Sequence, residues 1–221
     1  MKIQSAVVYS EESQLVVDQY ESDRASQNHN YWSDDEVEEV KREIKSHYKS
    51  EQNLTCVYCK VKYPVQHSAV WDVEHIVARE NSPHFMFTPK NLCVACKDCN
   101  NEKSNKHVLT NRRRVRYPTR SSDFTIIHPH IDNYDDHIAI HLGTIYSPKS
   151  DKGRETIEAC GLLRFSYSAG GWNSAITQIP DLMETANNML NEESEAVRDQ
   201  LMMQILLLAQ IQLSNSLLID D

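Results

Sequence analysis

The sequence predicts an α+β fold, and three observations carry that prediction. Two Cys-x-x-Cys pairs, Cys56/Cys59 and Cys96/Cys99, flank short β-branched and aromatic stretches. An amphipathic helical pattern leads into the first pair. Further strand-like segments and a helical tail follow the second. A chain of 221 residues fits one domain with appendages or two small domains, and can bury a core without leaning on metal alone.

Residues 1–32 are polar and acidic with little periodicity, and read as an irregular or partner-dependent arm. Helical spacing starts at 33, where Ser33 and Glu36 can form a reciprocal capping box. Val37, Val40, Ile44 and Tyr48 make the apolar stripe of this helix, with Asp34, Asp35 and Glu36 at its positive end and Lys45 and Lys49 at its negative end. "LTCVYCKVKYP" and "VWDVEHIV" favour strands, and Pro83 and Pro89 bound a loop. From Asn91 to about Lys106 the chain should turn through the second cysteine pair into a helix. "DFTIIHPHI" and "DHIAIHLGTIYS" read as a strand pair around "DNYDD". "SDKGRETIEACG" is a short helix ended by Gly161, and helices follow from about Ser174. The expected organisation is an arm (1–32), a domain with leading helix and trailing strand pair (33–146), and a mainly helical region (147–221).

No stretch reads as a membrane span: the apolar run "LMMQILLLAQIQLSNSLLI" is interrupted by Gln204, Gln210, Gln212, Ser214 and Asn215. The first residues lack the pattern of a signal peptide, so a cytoplasmic location is expected. The formal net charge of −9 is unevenly spread. Residues 97–120 hold eight basic against two acidic side chains, +6, which leaves −15 on the remainder. That is a localised anion site on an acidic chain rather than a general polyanion-binding surface.

Four of the six cysteines form the two pairs, which in a reducing compartment read as thiolate ligands rather than disulfides. Two such turns complete a closed tetrahedral zinc site with no position left for water, so Cys56, Cys59, Cys96 and Cys99 are expected to be structural. Cys93 with Cys96 offers a competing register, and Cys93 and Cys160 otherwise read as buried apolar thiols. A structural clamp needs no acid–histidine doublet inside it, yet Glu74 and His75 lie between the pairs.

"CVYC", "DVEHIVA" and "KNLCVACKDCNNEKSNK" together resemble the HNH endonuclease family, the zinc-clamped form of the ββα-metal fold. The resemblance covers residues 54–107. It implies an HNH core with the four-cysteine zinc site, preceded by a helix and followed by a β-hairpin element and a helical tail, and it selects Cys96 with Cys99. The implied catalytic set is His75, Asn91, Asn100 and Lys103. His75 would be the general base, since a neutral imidazole can take a proton from water near pH 7. Glu74 and Asn100 would hold a catalytic Mg²⁺ or Mn²⁺ through oxygen. Asn91 would brace the loop between the strands, Lys103 would contact the scissile phosphate, and Asp72 would be supportive. Glu74 stands where many members have Asp, and Val77 and Ala78 where members carry Pro. The Glu-His form resembles a subset from bacterial defence operons.

Outside that core, "NRRRVRYPTR" is the candidate for phosphate-backbone contact, so Lys103, Lys106, Arg112, Arg113, Arg114 and Arg116 form the expected nucleic-acid surface. "HPHIDNYDDHIAIH", with His128, His130, His137 and His141, either holds a second metal or resembles the scaffold element that follows the core in defence-associated relatives. The layout resembles the HNH subunit of Septu-type antiphage systems, which implies an ABC-type ATPase as gating partner. The expected activity is metal-dependent phosphodiester hydrolysis of nucleic acid, DNA ahead of RNA. The alternatives are a noncatalytic zinc module that binds nucleic acid, a nuclease cutting tRNA-type RNA, and a protein-binding adaptor.

Overall fold

The computed structural model describes residues 2–23, 27–64, 68–141, 143–165 and parts of 188–206. It is α+β, with helices and two small antiparallel sheets, and it divides into two compact units, Met1–Tyr134 and Asp135–Asp221. The strand pair expected at the end of the middle domain therefore belongs to the second unit. Among the described residues no helix is long and apolar enough to cross a membrane.

The first unit is built around helix α2 (Glu38–Glu51), whose Val40, Ile44 and Tyr48 are fully buried. The helix starts later than the sequence suggests. His29–Ser33 and Asp35–Val37 are 3-10 turns, and Val37 is the N-cap without a side-chain bond, so the Ser33–Glu36 capping box does not form. Contrary to expectation, the N-terminal segment is not irregular throughout. Helix α1 (Glu11–Ser22) is capped by Ser10, which accepts from the Ser13 amide, and it buries Ser13, Val17 and Tyr20, one stripe at helical spacing. Residues 2–10 run beside α2, where Glu51 accepts the Gln4 and Ser5 amides and Glu43 accepts the Ser10 amide.

Strands β1 (Trp71–His75) and β2 (Leu92–Cys96) pair antiparallel, with Trp71 opposite Cys96 and His75 opposite Leu92. Helix α3 (Lys97–Lys103) follows β2 without a break, so the expected turn after Asn91 is a strand. "LTCVYCKVKYP" in turn forms a knuckle closed by a single bridge, Thr55 to Lys62, rather than a strand. Gln52, fully buried, lies along the outer edge of β2. Its amide donates to the Val94 carbonyl at 2.8 Å and its oxygen accepts the Val94 N–H at 2.9 Å. A side chain thus replaces a third strand, which meets the requirement that buried backbone groups be paired.

In the second unit β3 (Ile138–His141) pairs with β4 (Ile145–Pro148). Both strands come from the second of the two stretches read as a pair; the first forms one isolated bridge, Leu109 to Phe124, in the other unit. Helix α4 (Asp151–Ala159) ends as expected at Gly161, φ 58°, with the Leu162 amide donating back to Ile157 and the Gly161 amide to Glu158. Gly153 packs so closely on the His137 carbonyl that a Cβ would lie 1.9 Å from its oxygen. Of the apolar tail, Met202 and Ile205 are buried with Ile145 and Met189. The helices expected over 174–187 and 207–221 lie outside the described residues.

Candidate functional site

The four cysteines converge from separate elements. Cys56 and Cys59 sit on the knuckle after α2, which reverses through Lys60 at φ 58°, with the Cys56 N–H donating to Val61 and the Lys60 N–H to Cys56. Cys96 ends β2 and Cys99 lies in the first turn of α3. All four are buried and their sulfurs lie within 4.8 Å of one another, Cys59 and Cys96 at 3.9 Å. A tetrahedral site with Zn–S bonds of about 2.3 Å spaces its sulfurs roughly 3.8 Å apart, so the cluster fits a zinc ion. The Cys96 N–H points at the Cys56 sulfur, 3.4 Å away, a donor suited to a thiolate. Hydrogen bonding from Cys56 and the other thiols pushes the Cys96 thiol down, and bonding to the same neighbours pushes Cys99 up. A cation would replace this sharing of protons. Cys93 lies outside the cluster because residues 93 and 96 point to opposite faces of β2. It is buried opposite Glu74, and burial raises its thiol.

β1 carries Glu74 and His75 out of the clamp, and α3 brings Asn100 beside them. A cleft of about 300 Å³ is lined by Glu74, His75, Arg79 and Asn100 among others. The His75 ring is buried and donates from Nε2 to the Met86 carbonyl at 3.1 Å, since a carbonyl can only accept. In the neutral ring this places the lone pair on Nδ1. Burial, then the charges of Arg79 and Lys103, lower its pKa to about 3, so it is neutral at pH 7. Trp32 stands edge-on to the ring at 4.5 Å, within an aromatic group that includes Tyr20, Tyr31 and Phe87. The N-terminal segment therefore walls the histidine, which nothing in its composition indicated.

Asn91 is fully buried. Its oxygen accepts the Val77 N–H at 2.7 Å, and its amide donates to the carbonyls of Val77 and Phe85. These bonds tie both ends of the long β1–β2 loop. Asn100 donates to Asp72 at 3.1 Å, which leaves its amide oxygen for another partner.

Lys103 departs from expectation. It is fully buried, with its ammonium 2.6 Å from Glu74 Oε1 and donating to the His75 carbonyl at 3.0 Å. A side chain so enclosed cannot contact a phosphate or serve a nucleic-acid surface. Its position, one turn beyond Asn100 on a short helix laid across β1, turns it inward onto the acid–histidine doublet. Tyr58 also donates to Glu74 Oε1, at 2.8 Å. Burial raises the Glu74 carboxyl, opposed by Lys103 and the Tyr58 hydroxyl.

The basic strip is only partly exposed charge. Arg114 pairs with the buried Asp123, and Arg120 reaches the same carboxylate at 3.2 Å. Lys106, Arg112, Arg113 and Arg116 are exposed. The strip packs on the β1–β2 loop: His84 donates to the Arg114 carbonyl and Tyr117 to the Lys90 carbonyl. His128 and His130 are engaged in hydrogen bonds within the fold. The His130 N–H donates to His128 Nδ1, Tyr117 lies 2.8 Å from His128 Nε2, and the His130 ring donates to the Leu92 carbonyl. His137 bonds Ser150 and His141 bonds Ser147. Among the described residues the four cysteines are the only cluster suited to a metal through His, Cys or carboxylate ligands. No family model matches the chain, and no curated protein or solved structure is significantly similar to it.

Proposed function

We propose that the chain is an HNH-type, metal-dependent endonuclease whose ββα core is β1, β2 and α3. One observation carries the reading: an acid–histidine doublet and an asparagine, Glu74, His75 and Asn100, share one cleft on a strand–strand–helix unit pinned by a zinc-competent cysteine cluster. The donor set suits a hard cation. With Oε1 of Glu74 engaged by Lys103 and Tyr58, Oε2 and the Asn100 oxygen are the atoms that would hold Mg²⁺ or Mn²⁺. Such an ion would stabilise negative charge building on the phosphate and the leaving oxygen. His75 takes the proton of the attacking water at Nδ1, while the Met86 carbonyl holds the ring through Nε2. Asn91 keeps the loop, and so Met86, in place.

The substrate in this reading is nucleic acid, DNA ahead of RNA, with an ABC-type ATPase partner and an antiphage role carried over from the resemblance alone. A second reading has a specific observation behind it. Glu74 is buried and ion-paired to Lys103, as in a purely structural interior, which suits a noncatalytic zinc module. Incubation of the zinc-loaded chain and its His75→Ala variant with plasmid DNA and total RNA in Mg²⁺ or Mn²⁺ separates the two. Cleavage lost in the variant supports the nuclease; binding without cleavage in both supports the module.

A further inference from the structure

Lys103 is buried on Glu74, and none of the strip's exposed cations, Lys106, Arg112, Arg113 and Arg116, lines the cleft of Glu74, His75 and Asn100, so cations nearer to it are the better candidates to meet a polyanion there. Helix α2 supplies them. The cleft of Glu74, His75 and Asn100 shares Val73, Arg79 and Asn100 with a second cleft of about 440 Å³, walled also by Trp32, Lys41, Arg42 and Lys45. A third, of about 510 Å³, shares Arg42 and Lys45 with the second and adds Lys49. The three clefts adjoin through these shared walls and together form a trough.

Its charge follows from helical spacing. Lys41, Lys45 and Lys49 recur every fourth residue, each one position after buried Val40, Ile44 or Tyr48, so they flank the buried stripe half-buried, with Arg42 exposed beside them. Along the second and third clefts these four cations and Arg79 meet two carboxylates, Glu38 and Asp72. The Lys41–Glu38 and Arg42–Glu39 pairs are surface i,i+3 contacts of the kind that contribute little, so a phosphate can displace them at small cost. Lys45 and Lys49 also suit the helix dipole, but that does not account for Lys41 or Arg42 near the other end, or for Arg79 on a different segment. Arg79 lines both the first and second clefts; its guanidinium pairs with the part-exposed Glu80 at 3.3 Å, a contact of the same displaceable kind, and its buried Nε has no hydrogen-bond partner.

We propose that this trough is the path of a nucleic-acid strand: backbone phosphates follow Lys49, Lys45, Arg42 and Lys41, and Arg79 takes the phosphate at the reacting centre. The inference rests on the nuclease reading and adds the route of its substrate. It moves the principal contact from the 106–116 strip to α2.

Fluorescence anisotropy with short labelled DNA and RNA strands tests it, using zinc-loaded full-length chain carrying His75→Ala so that the strand survives. In this background R42Q/K45Q/K49Q should lose about tenfold or more in affinity, and the slope of log K against log salt should flatten by about two units. R79Q should lose about threefold to tenfold with a slope change of roughly one. Should the triple variant fail to fold, R42Q alone, at a side chain 71% exposed, should flatten the slope by roughly one unit. If the parent binds strands and these variants bind equally well with the same slope, the trough is not the path and the nuclease reading stands. If the parent neither binds nor, with His75 restored, cuts any strand, the nuclease reading falls and the trough with it.

Discussion

Replacing Lys103 with methionine tests the interior of the site directly. Lys103 is fully buried against a Glu74 side chain 3% exposed, with ammonium and carboxylate 2.6 Å apart. Removing one partner of a buried pair costs about 3–5 kcal/mol, because the other charge stays behind without compensation. The lost bond to the His75 carbonyl adds about 1 kcal/mol, while methionine refills most of the stem's volume. Glu74, already raised by burial, escapes part of the cost by taking a proton. A net loss of about 3–4 kcal/mol is expected, a large share of a typical 5–15 kcal/mol. The E74Q/K103M double variant removes both charges and should recover about 2 kcal/mol or more relative to the sum of the singles. Urea unfolding in zinc-saturated buffer, followed by far-UV circular dichroism, gives all four corners of the cycle. A K103M cost below about 1 kcal/mol, or a double variant as unstable as the summed singles, would refute the buried pair.

The cysteine cluster predicts one zinc per chain, read by atomic absorption, with chelation costing on the order of 3 kcal/mol or more in stability. Cys99→Ser should lose the metal and Cys93→Ser should keep it; the reverse would restore the competing register of Cys93 with Cys96. Stability should also depend on pH through buried neutral histidines. His75, lowered to about 3, stays neutral in the fold, whereas unfolded chains take up a proton below about 6.5, so stability is present above that pH and lost as pH falls toward 3. Between pH 7.5 and 5 His75 alone accounts for about 2 kcal/mol, and His130, also lowered by burial, acts in the same direction. A flat urea midpoint across that range would contradict both assignments.

The parts of the site that were legible in the sequence are those set by short-range spacing. Cys-x-x-Cys turns, the apolar stripe of α2 and the glycine stop of α4 each depend on neighbours within a few residues. The period of two along β2 explains why Cys96 and not Cys93 joins the clamp, but β2 itself was hidden, since "NLCVACKD" alternates too weakly to separate a buried strand from a turn. What composition could not supply was tertiary. Lys103 reads as a surface lysine until Glu74 is placed across from it on β1. Trp32 and His75, distant in sequence, meet only because α1 and the following turns pack over the β1–β2 loop, as the Tyr20 bond to the Pro83 carbonyl shows. The buried amides followed the same division. Asn91 was visible through a motif, whereas Gln52, which closes the edge of β2, lay in no motif at all.

The central claim is that His75 acts as a base in a cleft shared with Glu74 and Asn100, and the most direct test is cleavage by the purified, zinc-loaded chain. Plasmid DNA and total RNA with Mg²⁺ or Mn²⁺ should be cut by the unsubstituted protein. His75→Ala should lower the rate by about a hundredfold or more, while strand binding and zinc content are retained. Equal cleavage by both proteins, or strand binding without cleavage by either under any of these conditions, would contradict the account.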